Sequence, residues 1–346
     1  MRKSIDKYKG IDILRIIGCI GIVLMHVLIN GNYKINNTLI TNIINQFNEF
    51  VMLFLIISAF SICKGYYYKI KENKMTLNDF YKKRYMKIIP FFVIVIVLDI
   101  IVSRSITSLI EGFTSLTLWF GLLPNNSMST VGVAWTLGII FLFYMLFPFF
   151  VFLLDNKKRG WIVFLSTILL NILCTYYFFT DKFVCKGFIN RQNFLYCMMF
   201  FICGGMIFLY EDKILTIINK NKTNKLILVL ITLLFTIFAF SIKIHSLINP
   251  IKWMLLFAIW LIIGISVKFT KRKKYIFEKI SEMSMEIYLF HMVVYRFIEK
   301  INWLHLFKND VYNYVFVSVL TLIISIISII VIKKIIRLLI KRIFKK

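Results

Sequence analysis

The chain has 346 residues, of which 60% are hydrophobic and only 17% charged, and its mean hydropathy is +0.80. Soluble globular chains carry roughly 45–50% apolar residues, so these figures exclude a soluble fold, a disordered chain, a collagen-like repeat and a disulfide scaffold. The 43 Lys and Arg stand against 16 Asp and Glu, a net charge of +27 that would suggest nucleic acid in a soluble protein. Here the cations fall between apolar segments. Anionic lipid and the positive-inside rule account for them there, and no nucleic-acid partner is expected.

A bilayer core of ~30 Å takes about 20 helical residues. Apolar runs of that length predict ten helices, near 11–30, 43–68, 85–103, 133–154, 161–179, 194–210, 225–241, 251–268, 284–301 and 312–336. The run Phe113–Leu123 is too short to cross and is expected at the interface. With the N-terminus inside, about 31 of the 43 basic residues face the cytoplasm, against about 9 outside. The inner group includes Lys69–Lys87, Lys157–Arg159, Lys268–Lys279 and Lys333–Lys346. The expectation is an all-α polytopic protein of the plasma membrane, one domain over 1–346, with both termini cytoplasmic. The first apolar run, Ile11–Ile29, lacks a small-residue cleavage site and carries Arg15 and His26, so no cleavable leader is expected. The six cysteines form no C-x-x-C pair and read as small buried hydrophobes; no metal site is expected.

Ionisable groups inside a span are costly, which makes each a functional candidate. The first helix, IDILRIIGCIGIVLMH, places Arg15 and His26 about 20° apart around the axis and ~16 Å apart along it. Asp12 lies one turn before Arg15. Snorkelling to the inner headgroups would also explain Arg15. The second helix carries Glu49 near its outer end, then Ser58 and Ser61, and is followed by FYKKRYMKIIP with Arg84, Lys87 and Pro90. Anchoring at the membrane surface is the plainer account of that basic segment. The fourth helix opens on Trp135 and reaches Tyr144 and Pro148, where interfacial anchoring of Trp135 is the usual role. In the ninth, Ser284, Tyr288 and His291 share one face.

These residues, taken in order, resemble the acyltransferase 3 family of integral membrane acyltransferases. The R-x10-H of the first helix, the basic segment ending in Pro90, the W-T-L…F-Y-x-x-F-P run and the S-x-x-x-Y-L-x-H run carry the resemblance from Asp12 to about Tyr295. It implies transfer of an acyl group, typically acetyl from cytoplasmic acetyl-CoA as co-substrate, to an envelope carbohydrate or small hydroxyl acceptor outside. No bound cofactor is implied. His26 matches the family's catalytic histidine, Arg15 its arginine, and Arg84 with Lys87 its basic pair. Three positions depart from the family pattern: Ile140 stands where many members have Glu, Ser58-Ala59-Phe60 replaces S-G-F, and Lys87 replaces the second Arg.

The residues agree with that chemistry. Arg15, Arg84 and Lys87 at the inner mouth suit the phosphates of a CoA thioester. His26 suits a general base, and a covalent acyl-histidine is the alternative. Glu49 lies at the depth of His26 and is expected to orient it in place of the acid missing at Ile140; capping the outer interface is its plainer role. Asp12, Ser58, Trp135 and Tyr144 are expected along the substrate path, with Ser284, Tyr288 and His291 facing it from the ninth helix. A transporter or flippase of a glycan or lipid-linked precursor is the rival reading. Paired, broken spans in two related halves would favour it, and none are expected here.

Overall fold

The computed structural model describes residues 8–123, 130–242, 247–267 and 274–343. Within them the chain is helical throughout, with short 3-10 and π turns and no strand. The basic stretches 268–273 and 344–346, which contribute to the expected inner charge, lie outside the described residues.

Helix α1, Lys9–Gly31, is the first span and stops where Asn32 adopts the left-handed conformation at φ 52°. The second span has three parts: α2 (Thr38–Gln46), a 3-10 turn (Phe47–Glu49) and α3 (Phe50–Lys71). Glu49 therefore sits in a tightened turn rather than in the body of a helix. Helix α4, Leu77–Ser103, starts where the Thr76 hydroxyl accepts the Asp79 N–H, and it carries Pro90 internally. The brief run expected at the interface forms α5 (Ile106–Leu116) and a 3-10 turn (Trp119–Leu122). Ile106, Ile110 and Phe113 stand exposed along it.

The predicted fourth span is broken. Helices α6 (Trp135–Met145) and α7 (Phe147–Leu154) meet at 57°. Pro148 supplies no N–H to the Tyr144 carbonyl and its ring crowds the preceding turn, so the helix cannot run straight through. Helix α8, Lys157–Leu173, continues into a π turn. Helices α9 (Phe194–Leu209) and α10 (Glu211–Lys220) form a second bent pair at 64°. The first bend interrupts the span expected over 133–154, whereas the second falls at the end of the span expected over 194–210. The chain then forms α11 (Lys222–Ser241), α12 (Asn249–Ser266), α13 (Lys274–Glu282), α14 (Ser284–Lys300) and α15 (Asp310–Ile343).

Seven of these helical stretches are long and apolar enough to cross a membrane, or nine if each bent pair is one span. The described chain is therefore an all-helical multi-pass membrane protein. Burial orders the bundle: 67% of the apolar window through α2 and α3 is inside the protein, against 6% for α11. The former is central, and α11 lies at the periphery of the bundle, packed against α10 and α12. Close approach of the central helices depends on glycine. A Cβ on Gly204 of α9 would lie 2.2 Å from the Ile56 carbonyl of α3, and one on Gly10 of α1 would lie 2.2 Å from the Gly264 carbonyl of α12.

The entry to α6 is held from two sides. Asp99 of α4 is buried, pairs with Arg296 of α14 at 2.7 Å, and accepts the Val131 N–H at 2.8 Å. Tyr288 of α14 donates to the Val133 carbonyl at 2.9 Å. This fixes Trp135 and Thr136 relative to α14. Five cysteines are buried as expected, and Cys185 is the exception, exposed in the loop before α9.

Candidate active site

A cavity of about 620 Å³ opens between α1, α3, α4, α6, α13, α14 and α15. One end is ionic. Arg15, Arg84, Lys87 and Lys333 line it together with Glu282 and Glu286. Arg15 projects from α1 across to α3, donating to Ser61 Oγ at 2.8 Å, while its other terminal nitrogen lies 3.6 Å from Asp12 Oδ1. The Ser281 hydroxyl donates to that same Asp12 oxygen at 2.6 Å, which ties α13 to α1.

Arg84 lies flat among aromatic rings, its guanidinium carbon 4.5 Å from the Tyr66 ring centroid and 5.6 Å from that of Tyr144. It donates to the Tyr66 hydroxyl, yet its Nε is buried with no acceptor. A buried donor left without a partner on a charged group is costly, which fits a site completed by an anion. Lys87 feels the positive charges of Arg84, Arg15 and Lys333 and the negative charge of Glu286. Lys333 reaches Glu286 at 2.6 Å from the far helix. Four cations against two carboxylates leave this end net positive.

The other end is apolar and hydroxylic, with Phe54, Leu137, Thr136 and Tyr288. The hydroxyls there are already bonded. Tyr288 donates to Val133, so Thr136, 2.7 Å away, donates to Tyr288. The Tyr288 ring also lies 6.1 Å from that of His291, and His291 is 5.2 Å from His26 between ring centroids. The two histidines thus stand side by side behind Tyr288. His291 is fully buried, and His26 is partly exposed. Arg191, from the turn before α9, acts electrostatically on both His26 and Tyr288.

An acyltransferase domain model matches residues 8–330, nearly the whole chain. The chain belongs to the acyltransferase 3 family. No curated protein and no solved structure matches it.

In this acyltransferase the fold brings Arg15, Ser58, Arg84, Lys87, Tyr144, Ser284 and Tyr288 to one cavity. Asp12 backs Arg15, and Ser284 spends its hydroxyl on the Ser281 carbonyl. Trp135 is buried just outside the cavity, with the Arg191 guanidinium carbon 5.9 Å from its ring. Glu49 is not among the cavity-lining residues; Arg191, which also acts on His26, and Lys252 act on it electrostatically. Lys252 is buried and donates to the Ala239 carbonyl at the end of α11, 2.9 Å away. Ile140 lines the cavity, one turn after Thr136 and one turn before Tyr144.

Four charged residues of the site, Lys333, Arg191, Glu286 and Glu282, were not singled out in the sequence. Lys333 looked like the start of a basic tail, Arg191 like one of the outward cations, and Glu286 was hidden within SMEIYLFH. Their partners are distant along the chain: Lys333 bonds the Glu282 carbonyl 51 positions away and pairs with Glu286, and Arg191 acts on His26 from the turn before α9. Only the tertiary structure could have exposed them.

Proposed function

We propose that this acyltransferase moves an acyl group, most simply acetyl, from an acyl-CoA in the cytoplasm to a hydroxyl of an envelope carbohydrate or similar acceptor on the outer side of the plasma membrane. The observation that carries the reading is the two-ended site: a cationic cavity mouth with an unpaired Arg84 donor, and a histidine pair behind its apolar end. Arg15, Arg84, Lys87 and Lys333 would bind the nucleotide phosphates through charge-assisted hydrogen bonds. The thin pantetheine arm would run past Phe54 and Leu137 towards Tyr288. His26 would take the acceptor hydroxyl's proton as the oxygen attacks the thioester carbonyl, and return it to the departing thiolate. The tally of atoms is a C–O bond formed, a C–S bond broken and one proton passed from oxygen to sulfur.

The same reading supports ten spans with both termini inside. The nine candidate spans become ten when α14, the 17-residue helix Ser284–Lys300, is counted. Residues read as inner (Arg15, Arg84, Lys87, Lys333) meet at the cavity mouth. Those read as outer (His26, Glu49, Arg191, Lys252) are linked through charge at the other end.

The two bent helix pairs are the feature a transporter would share. Purified protein in lipid vesicles separates the readings: the enzyme releases free CoA thiol from acetyl-CoA when envelope acceptor is added, and a transporter releases none.

A further inference from the structure

The partner of His26 is set by hydrogen-bond geometry inside α14. His291 Nδ1 lies 2.7 Å from the Tyr288 carbonyl and 3.2 Å from that of Ile287. A carbonyl oxygen can only accept, so Nδ1 carries the proton. That leaves Nε2 as a lone-pair acceptor. This nitrogen is buried and has no hydrogen-bond partner, although His291 itself is 0% exposed. The group beside it is the His26 imidazole, with ring centroids 5.2 Å apart and planes tilted by 43°. Rings at that separation reach hydrogen-bond distance by a turn of one side chain, and such catalytic contacts are commonly loose before substrate binds.

We infer that His291 is the positioning residue of the reaction: its Nε2 accepts the N–H of His26 and so holds the His26 lone pair towards the acceptor hydroxyl. The inference rests on the acyl-transfer reading given above. A neutral histidine here does the work that a carboxylate does in other triads, fixing the tautomer of the base. When His26 takes the hydroxyl proton, its second N–H remains bonded to His291 Nε2. His291 itself neither gains nor loses a proton, because its own N–H is committed to the Tyr288 carbonyl. The proton leaves His26 for the thiolate of CoA as the C–S bond breaks. The assignment also accounts for Glu49, whose charge partners are Arg191 and Lys252: the histidine has its orienting group without it. Arg191 also acts electrostatically on His26.

The chain has four histidines, His26, His245, His291 and His305. Selective 15N-histidine labelling in lipid bilayers therefore gives few imidazole signals, and His26→Asn and His291→Phe assign the two that matter. The wild type is expected to show one tautomer at His26 and the Nδ1–H form at His291. In His291→Phe the His26 signals should spread to a mixture of tautomers, and kcat should fall about 10²-fold with the acetyl-CoA KM unchanged. His291→Gln presents an amide oxygen as acceptor, so it should keep the single tautomer and recover at least tenfold of that loss. An unchanged His26 tautomer in His291→Phe overturns the inference, because nothing at 291 would then be orienting the ring. The nitrogen spectra need no turnover. A protein that lacks acyl transfer yet shows the tautomer shift would refute the proposed function and leave the histidine contact standing.

Discussion

Arg84→Lys is the sharpest probe of the cavity mouth, because it keeps the charge and removes the geometry. In the structure the guanidinium lies against Tyr66 and Tyr144 and donates to the Tyr66 hydroxyl, while Nε is buried and unpaired. Lysine retains a point charge but offers neither a flat face nor a donor at the Nε position. If Nε meets a donor phosphate, one charge-assisted hydrogen bond worth ~1.5–3 kcal/mol is lost. At 1.36 kcal/mol per decade this is about a 10- to 150-fold loss of acetyl-CoA affinity. Titration calorimetry on protein in nanodiscs reads the change directly, and acetyl-pantetheine, which lacks the nucleotide, is the control ligand. The substitution should weaken acetyl-CoA and leave acetyl-pantetheine alone. Equal weakening of both ligands would show that Arg84 only shapes the wall, and no change in either would remove the phosphate assignment.

Five further outcomes follow from the same structure. Lys333→Gln should weaken acetyl-CoA binding, with a loss that shrinks at high salt as the charge is screened; an effect independent of salt would mark Lys333 as a structural partner of Glu286. Glu49→Gln should lower kcat about tenfold with acetyl-CoA affinity unchanged, acting through Arg191, and adding Ile140→Glu should not restore it, since Ile140 faces the cavity. Asp99→Ala leaves Arg296 and the Val131 N–H without their shared carboxylate, so thermal unfolding should show a cost of ~3–5 kcal/mol. Gly204→Ala, forced against the Ile56 carbonyl, should cost ~1–3 kcal/mol. Gly65→Ala, with no atom within 4 Å of the added carbon, should instead stabilise α3 by ~0.5–1 kcal/mol in the same assay.

The sequence carried whatever depends on one helix at a time. Arg15 and His26 share a face by helical arithmetic alone, and the structure sends Arg15 into the cavity and sets His26 beside the second histidine. The motif order carried the family, which the match over 8–330 establishes. What depends on two helices meeting was not legible. Lys333 belongs to the site because α15 runs 34 residues and brings a basic turn against Glu286; hydropathy alone made it a tail. The break at Pro148 was not legible as a bend, because hydropathy runs on unbroken through α6 and α7. Arg191 lies in a short turn with no periodicity to mark it, and it gains meaning only from His26, Glu49 and Trp135 around it.

The central claim is transfer from one side of the membrane to the other through His26. It is tested by proteoliposomes carrying 14C-acetyl-CoA sealed inside, with an envelope carbohydrate fraction outside and the orientation of the protein checked by protease access to its termini. Wild-type protein should move label into the outer acceptor, and His26→Ala, equally folded and equally able to bind acetyl-CoA, should move none. Label transfer by His26→Ala at the wild-type rate, or transfer only when donor and acceptor share a compartment, would contradict the account.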